Sequence, residues 1–219
     1  NYNICGGGWG QPTRVNGNIY ITQNSAKVYS TIYGGSYYGN VNYQKSDSTI
    51  VNIRGGYIDG NVYGGGFGDK GENVYARIEG AVAVNISGGE VGGSVFGCNN
   101  DYGAPQSTVK VTMTGGKVRD LVGGGNMADY DSIPVVTISG GEVTNLVIGG
   151  GNAANVGGTN ITINGGNIAT GTEYGRGVYG GCNEDRNVNG NVVVNITGGT
   201  IGAEGNKSPI LFGGGYGKS

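Results

Sequence analysis

The chain has 219 residues, a formal net charge of −2 with only 13% charged residues, 51 glycines, three cysteines and no histidine. That balance lacks the basic footprint of a nucleic-acid binder, and the missing histidine removes the usual nucleophilic triads, imidazole metal sites and the commonest general base. No run approaches the length of a membrane span and no signal-peptide pattern opens the chain.

Glycine at this density without a three-residue period fits neither collagen nor an ordinary globular core, so an internal repeat is the first thing to look for. In chain order, Ile4 to Trp9 reads ICGGGW, the end of a repeat whose beginning is missing, and a degraded copy covers roughly Ile19 to Tyr37. From Val51 the pattern is plain: VNIRGGYIDGNVYGGGF, then VNISGGEVGGSVFGCN from Val84, VTMTGGKVRDLVGGGN from Val111, and VTISGGEVTNLVIGGGN from Val136. ITINGGNI from Ile161 runs on to GVYGGCN, and VNITGGTI from Val194 ends in ILFGGGY. The double glycines begin at Gly55, Gly88, Gly115, Gly140, Gly165 and Gly198, in steps of 33, 27, 25, 25 and 33 residues. The chain begins at Asn1 with its first repeat cut. It reads as a processed or excised segment of a longer protein, one array over 1–219 with a partial coil at 1–10 and coils of 25–33 residues up to 217.

Before each double glycine, apolar and polar residues alternate, as in Val136 and Ile138 against Thr137 and Ser139, the period of a strand with one wet face. One polar and one aliphatic residue follow, then a third apolar run that closes on the triple glycine. Helix is excluded, because glycine costs about 1 kcal/mol per residue against alanine and no 3.6-residue period exists. Three short strands per repeat with glycine corners predict an all-β parallel β-helix, a β-solenoid of about seven to eight coils, with right-handed crossovers as the expected hand. The residue after the glycines is aligned as Trp9, Tyr37, Phe67, Asn99, Asn126, Asn152, Asn183 and Tyr216. This predicts an asparagine ladder flanked by aromatics. A second stack runs through Tyr33, Tyr63, Phe96, Val122, Ile148, Tyr179 and Phe212. Cys98 and Cys182 are placed in one column, three coils apart and therefore unlinked. All three cysteines are read as small buried thiols.

Carboxylates carry what chemistry there is. Asp69, Asp101, Asp129, Asp131, Glu184 and Asp185 fall in the spacers, and the first four are the candidate metal ligands, since hard oxygen donors suit calcium. No cofactor is otherwise expected, and spacers also collect acids for solubility. GGGFGD from Gly64 fails the calcium-binding GGxGxD pattern at Phe67. The glycine runs open no helix, so a phosphate loop is not expected. Tyr43, Tyr75, Tyr102, Tyr174, Arg176 and Arg186 are the candidate ligand contacts, because aromatics with arginines stack on sugars or dock on proteins. Thr112 with Thr114, Thr137 with Ser139, and Thr162 with Asn164 form paired polar columns that resemble those of ice-binding solenoids, interrupted by Arg54.

The VxIxGGxV and VxGGGN repeats resemble the right-handed parallel β-helix regions of large bacterial surface proteins, including adhesin-like proteins and the polymorphic outer-membrane protein family. VxGGGN stands where the latter carries FxxN. The resemblance covers nearly the whole chain through architecture-setting residues and implies an exported, cell-surface location without implying an activity. The resulting expectation is a non-enzymatic structural or adhesive rod that is secreted or displayed at the cell surface and binds a glycan or a surface protein. It involves no nucleic acid and no membrane insertion in this segment. The alternatives are a polysaccharide lyase or hydrolase with an acidic loop edge, a filament subunit that self-associates through its coil ends, and an ice-binding solenoid.

Overall fold

The computed structural model describes residues 3–172, 175–203 and 209–217, in which every regular element is a strand and no helix is long and apolar enough to cross a membrane. The alternating segments stack in parallel, one per turn, to give a β-solenoid of about seven turns. Ile19–Gln23, Ser48–Ile58, Ala81–Phe96, Val109–Val122, Val135–Val143, Thr159–Ile168 and Val192–Ile201 follow one another in this stack. Register is set by the inward residues: Ile21, Val51, Val84, Val111, Val136, Ile161 and Val194 form one column, and Gln23, Ile53, Ile86, Met113, Ile138, Ile163 and Ile196 the next. From Val51 to Ile163 these side chains are essentially solvent-free. Burying a Val or Ile is worth roughly 1.5–3 kcal/mol, so no coil is stable without the one beneath it.

Each long strand bends at its double glycine. The second glycine takes φ between 75° and 87° at Gly56, Gly89, Gly116, Gly141, Gly166 and Gly199, the left-handed region that a Cβ disfavours. The bend also slips the pairing by one residue. Thr114 therefore faces Gly140, before register returns at Lys117 and Glu142. Consequently only the first of the two polar columns keeps straight register, through Thr22, Asn52, Asn85, Thr112, Thr137, Thr162 and Asn195.

The third face pairs Ile4–Cys5, Ile32–Tyr33, Val62–Tyr63, the ends of Ala81–Phe96 and Val109–Val122, then Leu146–Ile148, Gly177–Tyr179 and Ile210–Phe212. Its outer stack is as expected, with Tyr33 on Tyr63 at 5.0 Å and Tyr63 on Phe96 at 4.7 Å between ring centroids. Burial pushes the Tyr33 hydroxyl up to about 12 and raises that of Tyr63 as well.

The column beyond the glycines needs one correction. Trp9, Tyr37 and Phe67 stack at 4.1 and 4.5 Å, and the amides continue the line. The rung after Phe67 is Asn100, not Asn99: Asn126 donates to Asn100 at 2.9 Å, Asn152 to Asn126 at 3.0 Å, and Asn183 to Asn152 at 2.9 Å. Asn99 stands in the place of a third glycine and turns inward, fully buried. Its carbonyl accepts from Gly66 N and its amide donates to the carbonyls of Ala76 and Tyr102. The same one-residue offset separates the cysteines. Cys98 stacks on Gly65 and Gly124, whereas Cys182 lies one column on, its carbonyl accepting from Tyr216 N. All three cysteines are free.

The spacers also do more than connect. Val41 pairs with Ile78 and Ile78 with Pro105, while Tyr130 pairs with Val156 and Val156 with Val188. These bridges form a broken fourth line whose Val41, Ile78, Tyr130 and Val156 are buried in a second apolar cluster with Cys98 and Cys182. The burial of these spacer residues was not expected from sequence.

Candidate binding site: a groove along the spacer face

Because alternate spacer residues are buried, as at Val74, Ala76 and Ile78, the residues between them are held outward at fixed positions. In the third spacer, Asp69 and Val74 exchange two backbone hydrogen bonds of 2.7 and 2.8 Å, closing a tight hairpin that carries Lys70 at its tip and delivers Tyr75. The Asp69 carboxylate accepts from Glu72 N at 2.9 Å inside that hairpin. The Asp101 carboxylate in the next spacer accepts from Lys70 N at 2.9 Å, tying the two together. One coil on, Asp129 accepts from the backbone and side-chain nitrogens of Asn155. These acids therefore already act as acceptors for amides of adjoining spacers or of their own turn.

Tyr75 and Tyr102 stack at 4.2 Å between centroids, and the Tyr102 hydroxyl donates to that of Tyr75 at 2.7 Å. That bond holds the Tyr102 hydroxyl above the usual phenol range. The buried Asn99 amide grips the backbone behind both rings, at Ala76 and Tyr102. The pair lines a cavity of about 500 Å³ together with Lys70, Arg77, Asp101 and Asp129. Met127, 48% exposed, adds an apolar margin. A second cavity of about 300 Å³ shares Asn40 and Arg77 with the first and continues toward Tyr43, Arg14 and Glu79, the last ion-paired with Arg77. The two adjoin at Asn40 and Arg77 and together span five spacers, about 19 Å along the axis at ~4.8 Å per coil.

Of the residues singled out from sequence, Tyr75, Tyr102, Asp101 and Asp129 meet in the first cavity and Tyr43 lines the second. Asp69 lies at the base of the hairpin behind Lys70, and Asp131 is exposed beyond buried Tyr130, lining neither cavity. Arg176 belongs elsewhere. It donates to the Thr144 carbonyl at 2.6 Å and lines a separate cavity with Lys117 and Arg119. Arg186 is exposed on a later spacer, and Tyr174 lies outside the described residues. Among the described residues no three acidic or thiol side chains converge to hold a metal ion.

Lys70, Arg77 and Met127 were not foreseen. Nothing in the repeat pattern marks them, since they lie where the period lapses. The groove's lining charges balance, with Lys70 and Arg77 against Asp101 and Asp129. Such a site offers an aromatic edge, hydroxyls, amides and carboxylates, the donor and acceptor set that matches polyhydroxylated ligands. The thiols are poor nucleophiles: burial raises Cys98 and Cys182, and Cys5, half-buried rather than buried as expected, is pushed up to about 11 by the burial it has. No protein-family model, curated protein or solved structure matches the chain.

Proposed function

We propose that the protein is a non-catalytic rod, displayed outside the cell in the manner of the adhesin-like β-helices its repeats resemble, that binds glycan through the spacer groove. The observation that carries the reading is the stacked, hydrogen-bonded Tyr75–Tyr102 pair in a charge-balanced cavity of about 500 Å³. A preorganised aromatic pair contributes contact area with little side-chain ordering on binding. Binding is favoured over cleavage because Asp101 and Asp129 are engaged by amide donors of adjoining spacers.

The test is a glycan array probed with the wild type and with a Tyr75→Ala/Tyr102→Ala double variant, with the bound glycans assayed for shortened products. The reading expects hits that weaken about tenfold or more in the double variant, with no products, a loss of at least about 1.4 kcal/mol. Undiminished binding by the double variant would remove the groove from the mechanism, and shortened glycans would make the protein an enzyme.

A further inference from the structure

A second groove runs along the axis on the outer surface of the third face, built from residues the spacer groove does not use. One wall is the asparagine ladder, Asn126, Asn152 and Asn183. The opposite wall lies at the start of the third-face strands and is organised by Asp120, which is only 8% exposed. Its two carboxylate oxygens accept from Asn145 Nδ2 at 2.6 Å, Leu146 N at 3.2 Å and Ser94 Oγ at 2.7 Å. Phe96, Val122 and Ile148 of the outer stack lie buried under the floor, and the groove, whose accessible lining is mostly polar, encloses about 330 Å³.

Three features restrict what fits. First, the ladder uses one N–H of each amide and, at Asn126 and Asn152, one acceptor position, leaving at every rung a second N–H and acceptor capacity for another molecule. Second, among the described residues the only charges in the lining, Arg119 and Asp120, lie 3.7 Å apart and compensate one another, so the groove favours an uncharged ligand. Third, the rungs recur at the coil spacing of about 4.8 Å, whereas an extended peptide advances by about 3.3 Å per residue and falls out of step within two rungs. A β-1,4-linked glycan of neutral sugars, such as a glucan or mannan, is extended, uncharged and advances by about one coil per sugar. It presents hydroxyls along both edges, toward the two polar walls.

We infer that this groove is a second binding surface, for an extended neutral β-1,4-glycan lying along the rod with one sugar per coil. The inference rests on the asparagine and Asp120 walls alone and stands or falls independently of the spacer groove.

Side-chain amide NMR of the whole chain tests it directly, with cellohexaose and mannohexaose as neutral probes and a hexamer of galacturonate as the charged contrast. The expected result is that the amide pairs of Asn126, Asn152 and Asn183 shift together and saturably with a neutral hexamer. The matching disaccharide should bind at least tenfold more weakly, because it spans fewer rungs. Silence of all three amide pairs with both neutral hexamers overturns the inference, as does an equal response to the galacturonate. Ring signals of Tyr75 and Tyr102, followed in the same titration, report the spacer groove separately. Ring shifts without amide shifts sink the second groove and leave the first, and the converse does the opposite.

Discussion

A single position, the residue after the three glycine-type residues, changes its chemistry along the rod while keeping its place. Rings fill it at Trp9, Tyr37 and Phe67, and amides from Asn100 to Asn183. Asn152, like Asn126, is bonded on both sides, so Asn152→Ala strands the Asn126 carbonyl and the Asn183 amide. Its expected cost is about 1–3 kcal/mol in chemical denaturation, as for half-buried hydrogen-bond partners left unmatched. A loss within error would show that water replaces the ladder freely. This column was legible in the sequence as a type but not to the residue. In FGCNN, Cys98 and Asn99 replace glycines and two asparagines adjoin, so the pattern fits either of them. The choice is made in three dimensions, where Asn99 finds three backbone partners and Asn100 meets Asn126.

At the scale of elements, the strands were readable because two independent signals coincide, period-two alternation and a glycine pair at every bend. The fourth line was not, because its inward residues come in short runs, Val74, Ala76 and Ile78 in one spacer and Ala154 and Val156 in another, that carry no glycine pair and do not recur at the repeat spacing. Tyr130 shows the consequence: it looks like one more spacer tyrosine, yet it is buried, donates to the Ser107 carbonyl at 2.7 Å, and burial pushes its hydroxyl up to about 12. With Tyr33, also at about 12, and Tyr63 raised above its ordinary value, it makes stability depend on alkaline pH. Burial favours the protonated phenol, so the folded chain holds protons that the unfolded chain releases near pH 10. Their stabilising contribution is complete below about pH 10 and is lost as pH rises toward about 12. Thermal melts across this window, with tyrosinate absorbance recorded in parallel, should show a falling midpoint and a late-titrating class of tyrosines. Titration of every tyrosine near pH 10 in the folded state would contradict the buried stack.

At the scale of the whole molecule, each coil packs mainly on the coils above and below it, with a longer reach where Asn100 Nδ2 donates to the Tyr33 hydroxyl two coils away, so protection should follow position along the rod. The central strands Val109–Val122 and Val135–Val143 are covered on both sides, whereas Ile196, Leu211 and Phe212 in the final coil are 39%, 54% and 42% exposed. Hydrogen exchange is expected to be slowest in those central strands and fastest in Val192–Ile201 and Ile210–Phe212. Uniform protection would mean that the array unfolds only as a single unit. The groove itself was half legible. Tyr75, Tyr102, Asp101 and Asp129 stand out by residue type, but their meeting depends on the hairpin between Asp69 and Val74, which the repeat does not encode.

The two successive steps of 25 residues between Gly115, Gly140 and Gly165 make each intervening coil an interchangeable module. Removing one such stretch joins a coil to its former second neighbour with every column still aligned, and duplicating one adds a rung without disturbing the rest. Recombination within the coding sequence can therefore lengthen or shorten the molecule in whole units. With one sugar per coil, as proposed for the axial groove, its capacity would be inherited as a number of coils.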